Sequence, residues 1–470
     1  MVAYNLRYLY LAVFVCLNII KAYFPDLIPE FGDLDLIPLW CGAGTYYVDG
    51  TRPNNAGDGT TPETAEKEIY AGLQHLTPGD SLYVRGGIIY RSPAAGSYAV
   101  DIQTYGADGT AESPIMVYFD WTGTGTDRSR DPDKQAILLA SWNLSTGYKW
   151  TQSTNPTEYY VEAAAGGTPG LGTVKGVWAQ NTDGTYTAWT GGTVGSLTDH
   201  QWAWVASAST PDGLAYNTLY IRDDSGDPDT TGIILEVSQA NSALGLTKDF
   251  YKIYGGTFRF GGMYSIYATS AADTPKFYNT HTQYAVQHGF QSYADNTYCY
   301  GCVSDHNTIK GFQLHKDGGG VLDADLDAYF YNCTSAYNAY GFVAYGKLHL
   351  RNCISANNSY VQFYKQVADP SRLIDPDEQN NVWYGGEYLW DTAGVEEIPA
   401  IHATSKNADP LFRSATAFRL KAGSPAINAG TDVGLTTDFL GKPIRGLPDI
   451  GAYEFYGSTG NFGFNFGIGF

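Results

Sequence analysis

The chain has 470 residues, of which 43% are hydrophobic and only 16% are charged, so it can bury an extensive core and is not a disordered polyelectrolyte. The 28 Lys and Arg residues against 48 Asp and Glu give a net charge of −20. This balance argues against a nucleic-acid partner, because no basic cluster offsets the repulsion from phosphate. The 55 Gly and 38 Tyr residues are typical of an extracellular, cell-surface or virion-borne β protein.

The N-terminal hydrophobic segment, residues 1–44, contains an apolar run at 8–20 between Arg7 and Lys21. The run is shorter than the about 20 residues that a transmembrane helix needs. It fits the apolar region of a secretion signal, although no small-residue cleavage site follows it. The alternative is an uncleaved segment that packs on a partner or caps the fold, and the sequence leaves both open.

A cap and the first coils of the fold are predicted over residues 45–140. A short helix is expected at 64–76, because Ile69, Leu73 and Leu76 recur at helical spacing. Short alternating strands and Gly- or Asn-containing turns follow, with few helical periods, which is typical of an all-β fold.

An internal repeat indicates that residues 237–400 are coils of a solenoid. Four aligned segments place their third residue at 280, 302, 333 and 353, about one coil of a parallel β-helix apart, with one longer interval. The aligned cysteines are predicted to form a ladder of buried free thiols, and a disulfide between them is the less favoured alternative. The Asn residues before them are expected at bends, in the left-handed conformation. The repeated residues are Asn279, Cys302, Asn332, Cys333, Asn352, Cys353 and the pairs Gly289-Phe290, Gly311-Phe312 and Gly341-Phe342.

Residues 141–236 break the repeat and are predicted to form an antiparallel β-rich insertion. Trp residues mark several of its strands, among them Trp150, Trp178 and Trp202. Exposed rings there could stack on sugar faces. The favoured interpretation is that they fill a small core, as most aromatic side chains do.

Both ends of the chain resemble a known family. The opening motifs TYYVDGTRPNNAGDGTTPETA and LTPGDSLYVRGGIIY, and the closing segment 401–456 with NADPLFRSATAFRLKAGSPAINAGTDVGLTTDFLGKPIRGLPDIGAYEF, are similar to the ends of pectate-lyase-like proteins. The resemblance covers residues 45–455 and implies an all-β, right-handed parallel β-helix with an N-terminal capping helix. Members include polysaccharide lyases, glycoside hydrolases, phage tailspikes and non-enzymatic adhesins, so the chemistry stays open.

The resemblance implies a secreted or virion-borne protein that binds and cleaves a polysaccharide. The alternative is a non-catalytic structural or adhesive protein, such as a tailspike or a surface-appendage subunit. A hydrolase would need two carboxyl groups, one of them protonated. A lyase would need a base and a cation that neutralises the carboxylate of a uronic acid.

The polar cluster at 305–327 supplies candidate catalytic residues for either reaction. They are Asp305, His306 and Lys316, with Lys310 as a second candidate base. A solvated lysine without a catalytic role is the alternative for both lysines.

Histidines in adjacent coils are the candidate substrate-binding residues, because stacking of the coils would bring them to one groove. The alternative is a set of isolated surface histidines near turns. The candidates are His281, His288 and His315.

A calcium ion is the cofactor that the sequence predicts. If residues 323–327 form a strand, Asp323, Asp325 and Asp327 lie on one face, where three carboxylates repel each other unless a cation balances them. The alternative is a solvated acidic loop.

A Gly/Phe tail, residues 457–470, ends the chain. Phe462, Phe464 and Phe466 alternate in it, as in a strand that adds to a sheet edge. Because such a strand would promote aggregation if it were exposed, we expect it to be buried. It would pack either on the β-helix of its own chain or across a subunit boundary, and the second alternative is favoured. This implies a homo-oligomer, either a trimer or an end-to-end assembly.

Overall fold

The computed structural model describes residues 43–91, 98–144, 150–163, 173–315, 327–345, 347–367, 377–392, 395–397 and 401–456. The compact unit 45–470 carries the fold. Several predictions fall outside the described residues: most of the segment 1–44, Lys316, Asp323, Asp325 and the tail 457–470. No helix among the described residues is long and apolar enough to cross a membrane.

Three nine-stranded sheets, here named A, B and C, wind around one core as a parallel β-helix. Between Ser81 and Thr392 each coil contributes one strand to each sheet, and the strands pair in parallel except for the last pair of sheet C, which is antiparallel. Sheet A consists of Thr45–Val48, Ser81–Arg85, Ile115–Trp121, Tyr251–Tyr254, Lys276–Tyr278, Thr297–Tyr300, Asp327–Tyr331, Lys347–Arg351 and Asp377–Gln379. Sheet B consists of Ile89–Arg91, Ile137–Leu139, Thr257–Arg259, His281–Gln283, Val303–Asp305, Thr334–Ala336, Ile354–Ala356, Val382–Tyr384 and Lys406–Asn407. Sheet C consists of Val100–Asp101, Ser242–Leu246, Tyr264–Ala268, His288–Ser292, Lys310–Leu314, Tyr340–Ala344, Val361–Val367, Glu387–Thr392 and Val395–Glu397.

The insertion forms a separate eight-stranded sheet, mostly antiparallel, between the second and third strands of sheet B. Trp150, Trp178 and Trp189 are buried, and Trp202 is half-buried against the same core as Trp150, so these rings fill cores, as the favoured interpretation predicted. The strands are Ser141–Asn143, Thr151–Gln152, Tyr159–Glu162, Gly176–Gln180, Tyr186–Gly191, Gln201–Val205, Thr218–Arg222 and Leu235–Ser238.

The N-terminal capping helix is shorter than predicted. It spans Ile69–Gln74 and buries Ile69 and Leu73 against the first coil, but Glu66 pairs with Val48 in an extended bridge, which prevents the helix from starting earlier. The other helical segments are the α-helices Ile102–Tyr105 and Pro228–Thr231 and the 3₁₀ helices Pro62–Thr64, Pro132–Lys134 and Ser207–Ser209.

The repeated residues stack from coil to coil as the repeat predicted. Cys302, Cys333 and Cys353 are buried free thiols, and each Sγ donates to a backbone carbonyl. The φ angles of the preceding asparagines are positive: 53° at Asn279, 52° at Asn332 and 56° at Asn352. The bends between sheets A and B therefore use the residue type that tolerates this conformation best after glycine.

A second asparagine ladder lies at the turn between sheets B and C and was not predicted. The backbone N–H of Asn307 donates to Asn338 Oδ1, and that of Asn338 donates to Asn358 Oδ1, both at 2.9 Å. Its signal is a Ser-x-x-Asn motif that recurs at the same register position in three successive coils, beginning at Ser304, Ser335 and Ser355. These seryl hydroxyls also explain the Gly-Phe pairs, because a Cβ at Gly341 would lie 1.9 Å from Ser355 Oγ.

The closing segment 401–456 folds back over the outer face of sheet B. Its residues Phe412, Phe439 and Tyr453 belong to one apolar cluster with Val303 and Ile354 of that sheet. The backbone of the segment is anchored as well, because the Ala452 N–H donates to the Thr334 hydroxyl at 3.0 Å. The segment therefore covers part of the face on which the candidate site lies.

Candidate functional site

A row of polar side chains crosses three neighbouring coils on the outer face of sheet B. Arg259, Gln283 and Asp305 occupy the same register position in successive strands. Arg259 Nε donates to Gln283 Oε1 at 2.8 Å, and Gln283 Nε2 donates to Asp305 Oδ2 at 2.9 Å. The parallel register therefore links a surface guanidinium to a buried carboxylate.

Asp305 is fully buried and lies between two imidazoles. His281 Nε2 donates to Oδ1, and His306 Nδ1 donates to Oδ2 at 2.6 Å. Burial by itself raises the pKa of Asp305, but the charge and hydrogen bond of His281, together with those of His306, outweigh burial and hold this pKa well below its usual range. Asp305 is therefore an ionised acceptor that fixes the orientation of both rings.

His306 lies at the turn after its strand, in a column of aromatic side chains. Its φ is 53°, and the equivalent residues Phe260, Tyr284 and Tyr337 have φ values of 59°, 55° and 56°. Such conformations cost about 1–3 kcal/mol each. The His306 ring stacks on Tyr337 with centroids 5.2 Å apart and contacts Tyr284 at 5.7 Å, so packing offsets this strain and holds the ring in place.

A cleft of about 350 Å³ lies over this row. Of the two histidines bound to Asp305, His281 is the one that lines it. The cleft is bounded by sheet B, by the insertion and by the closing segment, and its lining residues are Asp133, Asp183, Gly184, Thr185, Thr257, Arg259, His281, Gln283, Tyr284, Thr416, Ala417, Arg419 and Tyr453.

The cleft combines an oriented imidazole with two guanidinium groups. Since His281 Nε2 is committed to Asp305, Nδ1 is the nitrogen left to exchange a proton with a ligand. Arg259 and Arg419 provide positive charge for an anionic group. Hydrogen bonds from Thr185 lower the pKa of Asp183, so Asp183 and Asp305 are both ionised and neither is suited to act as a general acid.

The structure brings together three of the candidate residues, Asp305, His306 and His281, but not the other two histidines. His288 and His315 lie on sheet C, at the start of one strand and just after the end of the next. Burial, and then the charge of Lys310, lower the pKa of His288 to about 3. The roles assigned to these residues from the sequence remain predictions.

Asp327 is the one predicted calcium ligand among the described residues. It starts a strand of sheet A, accepts a hydrogen bond from Tyr329 Oη at 3.3 Å, and lies 3.7 Å from His349 Nε2. Its two predicted partners in the site, Asp323 and Asp325, lie outside the described residues, so calcium binding stays a prediction.

Lys310 is a largely buried lysine beside His288 on sheet C, with its ammonium 5.5 Å from the centre of the Tyr345 ring. Burial lowers its pKa to about 8, from about 10.4 in an unfolded chain. The charged ammonium of Lys310 therefore lowers the stability of the folded state. This loss of stability is fully present below pH 8, and it disappears as the pH rises through the pKa that Lys310 has in the unfolded chain.

Replacing Lys310 with methionine should therefore raise the free energy of unfolding at pH 7, by about 1–3 kcal/mol. Urea denaturation at several pH values measures this, and the gain should vanish above about pH 10. The exposed Lys421→Met variant is the control and should change little. A gain that is absent at pH 7, or that does not vary with pH, would contradict this account of Lys310.

Several residues of the cleft were not predicted from the sequence. Arg259 and Gln283 could have been found from the repeat, because each lies at the same position of its coil as Asp305. Arg419 and Tyr453 carry no such signal, because the closing segment is not a coil and only its packing brings them to the cleft.

Comparison with known proteins gives one short sequence similarity and several structural ones. No family model matches the chain. Over 105 residues, 21% of this chain, it is 31% identical to a lacto-N-biosidase of Bifidobacterium longum subsp. longum, and the match spans 6% of that protein's length. Among solved structures, XylC in complex with xylose has a TM-score of 0.47 at 10% identity and covers 74% of this chain and 67% of its own. Pectate lyase Pel9A has a TM-score of 0.40 at 12% identity, covering 88% of this chain and 96% of its own.

Proposed function

We propose that this protein binds an acidic polysaccharide in the sheet B cleft, outside the cell or on a virion, and cleaves it by β-elimination. The observation that carries the proposal is the position of His281, whose ring is held by the ionised Asp305 and faces the same cleft as Arg259 and Arg419. The segment similar to a lacto-N-biosidase supports a carbohydrate ligand. Asp133 and Asp183 line the same cleft, and Arg259 and Arg419 are the groups there that would pair with the carboxylate of an anionic sugar.

Each group has a defined task in this reaction. Arg259 and Arg419 neutralise the carboxylate of a uronic acid, which makes the hydrogen on the adjacent carbon more acidic. His281 Nδ1 takes that proton from C5, and the electron pair forms a double bond between C5 and C4 as the bond from C4 to the bridging oxygen breaks. The departing oxygen takes a proton from solvent. Asp305 stabilises the imidazolium that forms at His281, as a positioning residue.

Lowered pKa values at Asp183 and Asp305 argue against either of these two groups as the protonated carboxyl group that hydrolysis needs. The predicted oligomer, formed through the tail 457–470, is a further part of the proposal that the described residues do not address.

The test is incubation of the full chain with uronic-acid and neutral polysaccharides, followed by ultraviolet absorbance of unsaturated products. We expect product from uronic-acid polymers alone, and a loss of roughly 10²–10⁴-fold in the His281→Ala variant. His75→Gln, beside the capping helix, is the matched control and should keep full activity.

Other outcomes would overturn the elimination mechanism. New reducing ends without ultraviolet absorbance would indicate a hydrolase. Binding of a polysaccharide without any product would favour the alternative of an adhesive or structural protein. Equal activity of His281→Ala and wild type would exclude His281 as the base.

A further inference from the structure

A second cluster of ligating side chains lies in the insertion, at one end of an antiparallel strand pair. Gln201 pairs with Arg222 where strand Gln201–Val205 begins and strand Thr218–Arg222 ends. Asp199 and His200 directly precede the first strand, and Asp223 directly follows the second. The pairing therefore brings three side chains from two distant parts of the chain to one place.

The possible ligand atoms of the three side chains lie close together. Each side chain offers one nitrogen or oxygen atom, and these atoms all lie within 4.8 Å of one another. Asp199 Oδ2 is 3.6 Å from His200 Nε2. The other oxygen of Asp199 accepts from the Asp224 N–H at 2.8 Å, and the His200 ring stacks on Trp189 with centroids 5.2 Å apart. Both side chains are thus oriented by groups outside the cluster.

Asp223 supplies the observation that points to a ligand. Its side chain is buried, and Oδ1 accepts from the N–H and the hydroxyl of Ser225, at 2.9 and 2.5 Å. Oδ2 is buried and has no hydrogen-bond partner. A buried carboxylate oxygen without a partner is costly, and a bound cation is what would satisfy it.

No nearby cation of the protein does so among the described residues. Arg222 is the closest basic side chain in sequence, and its guanidinium donates to Asp224 Oδ1 at 2.7 Å and to the Leu197 carbonyl at 2.8 Å. Its hydrogen bonds thus go to Asp224 and Leu197, outside the cluster, although its charge also acts on Asp199.

We propose that Asp199, His200 and Asp223 form a binding site for a divalent transition-metal ion. Two carboxylate oxygens and one imidazole nitrogen suit ions such as Zn²⁺ or Mn²⁺, whereas an imidazole ligand disfavours Ca²⁺. The side chains of His200 and Asp199 are 60% and 42% exposed, so water completes the coordination and the ion can enter directly from solvent. Ser225 and the Asp224 N–H orient the ligands from the second layer.

The bound ion would connect the loop before Gln201 to the end of the neighbouring strand and thereby stabilise the insertion, since an ion that binds the folded state alone raises stability by mass action. This site is separate from the cleft and from the predicted calcium site, and it does not depend on the proposed reaction.

Isothermal titration of the full chain, without a polyhistidine tag, with Zn²⁺ tests the proposal. We expect about one ion per chain, and an affinity at least about ten-fold weaker in Asp223→Asn and in His200→Gln. Asp224→Asn is the matched control and should bind like wild type, because its side chain pairs with Arg222 and its backbone N–H is retained. His200 is exposed, so His200→Gln should fold even if Asp223→Asn does not.

Three outcomes would overturn the site. These are no Zn²⁺ binding to wild type, equal Zn²⁺ affinity in wild type and His200→Gln, and Ca²⁺ binding that is as tight as that of Zn²⁺ and is lost in His200→Gln.

Discussion

The Asp305→Ala variant should lower the free energy of unfolding by about 3–5 kcal/mol, because removal of one partner from a buried ionic group leaves the others uncompensated. His281, His306 and Gln283 all donate to this carboxylate, which is fully buried. Elimination activity should be lost as well, since the hydrogen bond that orients the His281 ring would be absent. Urea denaturation followed by circular dichroism measures the first effect, and the polysaccharide assay measures the second.

Asp183→Ala is the control for this experiment. Asp183 lines the same cleft but is exposed, so its replacement should change stability by no more than about 0.5 kcal/mol. If Asp305→Ala lowers the free energy of unfolding as little as Asp183→Ala does, the Asp305 carboxylate does not hold the site together.

The contribution of Asp305 to stability should depend on pH in a defined direction. Its folded pKa lies below the value of about 3.9 for an unfolded chain, so its stabilising effect is fully present above that pH and is lost as the pH falls through the folded pKa. The difference in stability between wild type and Asp305→Asn should therefore be constant from neutral pH to about pH 5 and shrink below about pH 4. A difference that grows on acidification would contradict the assigned pKa shift.

Phe342→Ala should destabilise the protein by about 3–5 kcal/mol through loss of buried surface and creation of a cavity. Phe342 is fully buried in the interior row of sheet C, where it pairs in register with Phe312 and Phe363. Its ring stacks on Phe312 with centroids 5.1 Å apart and packs edge-on against Phe330 at 5.8 Å. Because each coil contacts only its neighbours, the loss would weaken the adjacent coils most.

Tyr360→Ala provides a comparison with an aromatic residue of the same region. Tyr360 is 48% exposed, so its loss should cost far less than that of Phe342. The midpoint of urea denaturation distinguishes the two variants, and hydrogen exchange would locate the weakened coils. Similar midpoints for both variants would mean that the interior row does not carry the stability of the solenoid.

The site was partly predictable, because the repeat fixes the register of its residues. Once residues 280, 302, 333 and 353 are aligned, parallel pairing places Asp305 beside Gln283 and near His281. The sequence did not distinguish which histidine lines the cleft. His306 lies in the aromatic column at the turn, whereas His281 lines the cleft, and that difference depends on a positive φ after the strand.

The sequence by itself determined the solenoid, its interior ladders and its bends, because these follow from local periodicity: a residue at one position of a coil meets the same position of the next coil. The burial of Asp305, the place of Arg419 and Tyr453 in the cleft, and the meeting of Asp199 and His200 with Asp223 were decided only by the tertiary structure. These features arise where the closing segment packs on sheet B or where two strands of the insertion pair. Such contacts join segments with no shared period, so their register depends on the packing of the whole fold and leaves no pattern in the sequence.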